Sequence, residues 1–353
     1  MQSLVEDPSC RHFIEHPDNS RNVQDGIVAL SQHYPRRCIE PYLPNEYYGF
    51  DYIVKFSLGL SPQKRLFFGL PHGIEFADFK GWNLFGTSER VSTLIYNNHL
   101  SKQNLIENNN RGFRFRAISP MLLLYKIMKE CGLVPSTDLL STALFFPVHG
   151  NPDWFLKNSN YDEGICRILR SLREKYQEID ISLTASDIRQ GRHLIYESHG
   201  FRVITAGDIF DPFFSSRFIN NVHRYGFILT SDLGSHIFYC AAFGLRVSFL
   251  QTDSLELQSY SNLKGDEMPA ASIFPDVLQF TKLLNSPQAK KIALYLLGEG
   301  GIPRVHTYIF IHNFSRIMDF IGFIEPKGRK ITFAIPRYWR RLALRVLHLL
   351  KMK

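Results

Sequence analysis

Apolar positions along this 353-residue chain follow two rhythms. Some form brief unbroken runs that close on Gly, Pro, Asp or Ser. Others recur at every third or fourth place over a longer stretch. Unbroken runs bounded by turn residues predict buried strands, and the wider rhythm predicts helices with one apolar face. The two alternate most regularly in the second half. Ala143 to Val148 reads as a strand, and "NYDEGICRILRSLREKY" as a helix with Ile165, Ile168, Leu169 and Leu172 on one face. "IDISLTASD", "FRVITAGD", "GFILTSD" and "LRVSFL" read as further strands. "GRHLIYESHG", "PFFSSRFINNVHRY" and the stretch after Gly234 read as the helices between them. Strand–helix alternation of this kind predicts βαβ units and a mostly parallel sheet, an α/β fold.

The first half alternates more loosely. "KRLFFGLPHG" predicts a short buried strand ending in a Pro-His-Gly turn. Arg90 to Asn98 and Phe113 to Ser119 read as strands. "PMLLLYKIMKECG" reads as a helix, with Pro at its start and Gly132 at its end. The first 45 or so residues are polar and Pro-rich and yield no assignment. A boundary near Ser136, within "VPSTD", divides the chain into residues 1–135 and 136–325, followed by a tail, 326–353.

Composition narrows the class. The length allows a sizeable core and two domains. Cys10, Cys38, Cys131, Cys166 and Cys240 are odd in number and scattered, which excludes a disulfide framework and suits a reducing cytosol. The N-terminus lacks a basic-then-apolar signal pattern, and no stretch reaches the ~18 apolar residues of a spanning helix. The net charge is +8, but it is a property of the tail. Lys327 to Lys353 holds nine Lys and Arg and no acid, and removing them leaves 32 basic against 33 acidic residues. A near-neutral body argues against nucleic acid as a partner.

The tail has its own pattern. With 3.6 residues per turn, Trp339, Leu342, Ala343, Val346, Leu349 and Leu350 share one helical face. Arg337, Arg340, Arg341, Arg345, His348 and Lys351 share the other. Apolar opposite purely basic is the pattern of a helix lying on an anionic membrane surface. The plainer reading is a terminal helix docked on the protein with a solvated basic face.

Candidate chemistry gathers where strands end. In a parallel α/β sheet, ligands sit beyond the carboxyl ends of the strands, where helix N-termini favour anions such as phosphate. "TSDLGSH" follows a strand and opens a helix. Gly234 allows close backbone approach, Ser231 and Ser235 supply hydroxyls, and His236 lies in the first turn. An ordinary helix cap would use similar residues. Three other strands end similarly, with His149 and Gly150, with Asp187, Arg189 and Gly191, and with Gly207, Asp208 and Asp211. Their repetition predicts a cleft along one sheet edge. In the first half, "LPHGIEF" offers His72 beside Glu75, either of which could act as a general base. Asp-x-Asp, His-Glu-x-x-His and paired Cys are all absent, so no metal is expected. Walker, dinucleotide and nucleophile-elbow patterns are absent too.

These residues resemble the GT-B glycosyltransferases of bacterial surface-polysaccharide synthesis, which build capsule and lipopolysaccharide. Three segments carry the resemblance, "LPHGIEF", "LFFPVHG" and "TSDLGSHIFYCAAFGLRVSF", in that order across residues 64–250. The resemblance implies two Rossmann-like domains facing across a cleft and metal-independent sugar transfer without a cofactor. It implies a UDP- or CMP-linked sugar as donor and a glycan or lipid-linked glycan as acceptor. By position, Ser231, Gly234, Ser235 and His236 would meet the donor phosphate. Gly207, Asp187 and Arg189 would line the nucleotide pocket, and His149 would sit under the donor. Glu75 or His72 would take the acceptor proton. The chain departs from the family pattern at Leu245-Arg246, where Lys-Pro is common, and in lacking a clear ribose-binding Glu after the "GSH" helix. With the tail, the expectation is a cytoplasmic enzyme peripheral on the inner membrane face. A nucleotide-sugar epimerase, another group transfer on the same fold, or a non-catalytic peripheral-membrane module are the alternatives.

Overall fold

The computed structural model describes residues 23–40, 42–66, 68–70, 73–74, 93–95, 114–116, 118–135, 141–149, 160–250 and 275–299. The protein is α/β, built on a five-stranded parallel sheet. Its strands are β3 (Thr142–Phe146), β4 (Glu178–Ser182), β5 (Arg202–Ile204), β6 (Phe227–Thr230) and β7 (Arg246–Phe249), in the spatial order β5-β4-β3-β6-β7. Two earlier strands, β1 (Thr93–Ile95) and β2 (Arg114–Arg116), pair in parallel on their own, with Leu94 opposite Phe115. The helices are α1 (Val23–Leu30), α2 (Phe50–Ser57), α3 (Pro120–Glu130), α4 (Tyr161–Ser171), α5 (Ala185–Arg189), α6 (Arg192–Ser198), α7 (Phe214–Val222), α8 (Ser235–Phe243), α9 (Pro275–Lys282) and α10 (Pro287–Leu296).

Each face of the large sheet is sealed by its own core, as a parallel sheet requires. Side chains alternate along the strands. Leu144, Ile228 and Val247 enter one core, while Ala143, Phe145, Ile179, Ile181, Val203 and Leu229 enter the other. The second core is closed by Ile165, Cys166 and Leu169 of α4, the apolar face expected from their spacing, and by Ile27 of α1 and Tyr196 of α6. The first core is thicker. Ile219 of α7 and Ile237 and Phe238 of α8 lie on the sheet, and Phe50, Ile53, Leu122, Met128 and Leu296 pack in the same cluster. Thus α2 and α3, from the first half of the chain, share a core with the helices of the second. The boundary residue Ser136 lies outside the described residues.

Local signals explain several elements. Ser119 caps α3, its Oγ accepting from the Leu122 amide at 3.2 Å, with Pro120 in the first turn. Gly132 follows with φ +70°, where a side chain would be strained. The unassigned N-terminal region contributes α1.

The strand expected at "KRLFFGL" does not form among the described residues. Leu66, Phe68 and Leu70 are buried as expected, but their backbone is satisfied by side chains. Glu40 accepts from the Leu66 amide at 3.1 Å, and Asn45 donates to the Phe68 carbonyl and accepts from the Leu70 amide at 2.8 and 2.7 Å. A buried apolar run needs its amides paired, and side-chain oxygens serve as well as a neighbouring strand.

Glu40 belongs to a buried charged cluster. Lys55 of α2 is 1% exposed and lies 2.6 Å from Glu40 and 2.7 Å from Asp51, and it donates to the Pro62 carbonyl at 3.1 Å. Arg37 donates to Asp51 at 2.7 Å. Burial raises the Glu40 carboxyl, and Lys55 opposes that rise. Removing the ammonium would leave the buried Glu40 carboxylate without a cation and Asp51 with Arg37 alone. Lys55→Met is therefore expected to cost about 3–5 kcal/mol, read as a lower urea midpoint at unchanged slope. A cost below about 1 kcal/mol would place the cluster among weakly coupled surface pairs.

Candidate functional site

The strand order places β3 beside β6, so the chain leaves these neighbours in opposite directions across the sheet. This is the switch point of a doubly wound sheet, where a crevice opens beyond the strand ends. Three stretches meet there: Val148 and exposed His149 after β3, Thr230 to Asp232 after β6, and the first turn of α8.

The first turn of α8 is built around one glycine. Gly234 is the N-cap, with φ −112°, an ordinary extended conformation. Its requirement is space. A Cβ there would stand 2.4 Å from Nδ1 of His236. The imidazole stacks on Phe146 at 4.6 Å between ring centres, and its Nε2 lies 3.0 Å from Thr230 Oγ1. Burial, helped by His149, lowers the His236 pKa to about 3, so the ring is neutral at physiological pH. No side chain caps α8. On the same sheet edge, α5 is closed by a capping box between Thr184 and Asp187. The amides of Gly234, Ser235 and His236 have no partner among the described residues. Unpaired first-turn amides and the helix dipole favour an anion.

Ser235 contacts the first half of the chain. Its Oγ accepts from the Ile74 amide at 2.9 Å. A Cβ on Gly73 would lie 2.8 Å from that oxygen. The "HG" loop of the first half therefore stands directly on the helix that opens the candidate site. His72 and Glu75, which flank these two residues in the sequence, lie outside the described residues. So do Arg337, Trp339, Arg340, Arg341 and Arg345 of the tail.

Beneath the strand ends lies a polar network. The Tyr161 hydroxyl, at the start of α4, donates to Ser231 Oγ at 2.7 Å and accepts from the Val148 amide at 3.3 Å. Burial pushes its pKa up to about 12, so it keeps its proton. Arg192, 6% exposed, donates to the Val148 carbonyl at 2.7 Å, to both oxygens of Asp162 at 2.7 Å, and to Asp187 at 3.1 Å. Both backbone polar groups of Val148 are thus held, and they set the position of His149.

The remaining expected residues stand apart from the switch point. Asp187 is 3% exposed and divided between Thr184 and Arg192. Arg189 donates to Asp208 at 2.9 Å and to the Ser31 carbonyl at 2.5 Å, fastening α1 to the loop after β5. Gly207, with φ +99°, makes room for Arg217, whose Nη2 would be 2.7 Å from a Cβ there. Arg217 in turn donates to the Ala206 carbonyl at 2.9 Å and to Asp211. The polar groups of Asp187 and Arg189 and the space beside Gly207 are committed to protein partners. The strands end alike in sequence, but β5 is the sheet's outer strand, two removed from β3.

Tyr161, Asp162, Arg192, Thr230 and Asp232 join the site without having been singled out. Thr230 and Asp232 stood within "TSDLGSH". The others had no local signal, because the bonds Arg192–Asp162, Arg192–Val148 and Tyr161–Ser231 join residues 30, 44 and 70 places apart. Among the described residues, no three His, Cys, Asp or Glu side chains gather as a metal site, and no helix is long and apolar enough to cross a membrane. No protein-family model matches the chain, and no curated protein matches it in sequence.

Gly234→Ala should destabilise the protein by about 1–3 kcal/mol through overpacking against His236. The second change His236→Ala should recover most of that loss, giving a coupling energy above about 0.5 kcal/mol in a double-mutant cycle. Strictly additive effects would mean that Gly234 is required for something other than space for the imidazole.

Proposed function

We propose that the protein is a glycosyltransferase that binds a nucleotide sugar at the β3/β6 switch point and passes the sugar to a glycan or lipid-linked glycan. The observation carrying this reading is the uncapped first turn of α8, set between His149 and the loop fastened to Ser235. Three amides with no partner among the described residues, together with a helix dipole, suit the diphosphate or phosphate of a UDP- or CMP-linked donor. Such groups stabilise charge as it develops on the departing nucleotide, without reorganising at the moment of reaction. His149 lies where it can touch the donor. The Ile74–Ser235 hydrogen bond brings a first-half segment to the donor's edge, and the neighbouring Glu75 or His72 deprotonates the acceptor hydroxyl. In this reading residues 1–135 form the acceptor side of a two-domain GT-B arrangement, and residues 136–325 the donor side. The basic tail keeps the enzyme on an anionic membrane surface near a lipid-linked acceptor.

Melting curves with UDP- and CMP-sugars test the donor. A ligand at about 100 times its dissociation constant should add about 2.7 kcal/mol. Ser235→Glu, which sets a carboxylate over the free amides, should abolish the effect. Glu75→Gln or His72→Ala should stop transfer while preserving the shift in melting temperature. Binding without transfer to any acceptor would favour an epimerase or another group transfer. No shift with any nucleotide would overturn the reading.

The tail makes a separate prediction. The six Lys and Arg from Arg337 onward should each contribute about 1 kcal/mol at an anionic surface, with Trp339 and the leucines adding apolar burial. Full-length protein should float with anionic liposomes at low salt, and less so as salt screens the charges. Truncation after Ile335 should abolish flotation. Equal flotation of both forms would overturn the membrane assignment.

A further inference from the structure

Among the described residues, one buried acid at the switch point has no ion-pair partner. Asp232 is 4% exposed. Thr230 Oγ1 lies 2.9 Å from the Asp232 carbonyl oxygen, 3.0 Å from His236 Nε2 and 3.4 Å from Asp232 Oδ1, and it accepts from the Asp232 amide at 3.3 Å. A hydroxyl has one proton to donate. The shortest acceptor, the Asp232 carbonyl, takes it, so His236 donates through Nε2, and the carboxyl group is left with its own backbone amide and the long approach to Thr230. Among the described residues, no Lys, Arg or His lies within 4.0 Å of the carboxyl oxygens. The charged and titratable groups that face it are His149 after β3, Arg192 of α6, Tyr161 of α4 and His236 of α8. Burial raises the Asp232 pKa, and the weaker pull of His149, Thr230 and Arg192 does not cancel the rise.

The position of this group gives it a consequence. Asp232 lies two residues before the N-cap of the helix whose free amides suit a phosphate. An ionised carboxylate beside a phosphate in a water-poor crevice repels it, whereas a protonated carboxyl donates a hydrogen bond to it. We propose that the crevice takes up its phosphate-bearing ligand together with a proton on Asp232, so that nucleotide binding is proton-coupled. This rests on the nucleotide-sugar reading of the site. It adds to that reading a proton-holding residue and a dependence of donor affinity on pH.

The test titrates UDP-glucose and CMP-N-acetylneuraminate into the full-length protein by calorimetry, from about pH 5.5 to about pH 8.5. The phosphates of these sugar esters keep a constant charge in that range, so the ligand contributes no slope. Wild-type affinity should fall as pH rises, approaching about tenfold per unit above the carboxyl pKa. Asp232→Asn, which mimics the protonated acid, should bind with a flat profile and overtake the wild type at high pH. Parallel profiles for wild type and Asp232→Asn would overturn the proposal.

A ligand-free measurement separates this failure from failure of the nucleotide reading. A carboxyl with a raised pKa stabilises the fold at low pH, and that contribution is lost as pH rises through the folded-state pKa. The melting temperature of Asp232→Asn should therefore gain on the wild type as pH rises. A difference independent of pH would overturn the proton on Asp232. If that gain appears but neither ligand binds the wild type at any pH, the nucleotide reading falls and the coupling falls with it.

Discussion

The guanidinium of Arg192 is the point on which this part of the molecule depends. It reaches from α6 to the bidentate carboxylate of Asp162 on α4, to Asp187 on α5, and to the Val148 carbonyl beyond β3. Three helices and a strand end are registered by one side chain. Charge-assisted, bidentate bonds have the strength and directionality for this, and burial makes them costly to leave unmade. Tyr161, one residue before Asp162, extends the same framework to Ser231. The ends of β3 and β6 are thereby tied together from below, and the upper side of the crevice keeps its unpaired groups.

That division between committed and uncommitted polar groups separates framework from candidate site. Around β4 and β5, each polar residue proposed for the nucleotide has a protein partner: Asp187 with Thr184 and Arg192, and Arg189 with Asp208 and Ser31. At β3 and β6 the groups are less satisfied. Among the described residues Asp232 is buried without an ion-pair partner, α8 begins without a side-chain cap, and His149 is exposed. Buried polar groups without partners are expensive. An uncapped helix turn beside a buried acid, at the place where a doubly wound sheet opens, is why the function is sought there.

Loose alternation in the first half has a physical counterpart in how its backbone is paired. Between Leu66 and Leu70 the carboxylate of Glu40 and the amide of Asn45 serve as neighbours would in a sheet. Those side chains come from a segment about 25 residues away, and no periodicity reports such pairing. The same holds for α1, whose fastening depends on Arg189 and on the Asp208 amide. Sequence spacing describes which face of an element is apolar, and says nothing of which side chain will replace a missing ladder.

Local order in the second half was legible residue by residue. The apolar spacing of Ile165 and Leu169 marked the buried face of α4, the runs Ala143 to Val148 and "GFILTSD" marked two strands, and "TSDLGSH" marked a strand-to-helix turn. These depend on contacts between near neighbours, which the chain encodes directly. Several strand ends looked equivalent in sequence, and only the spatial order β5-β4-β3-β6-β7 set β3 against β6 and moved β5 to the margin. The tertiary structure likewise decided that Gly207 makes room for Arg217, that Gly234 makes room for His236, and that Ser235 anchors the loop at Gly73. The residue types were visible from the start. Their roles were set by what stood opposite them, because a close approach or a lone pair acquires its partner only when distant segments pack.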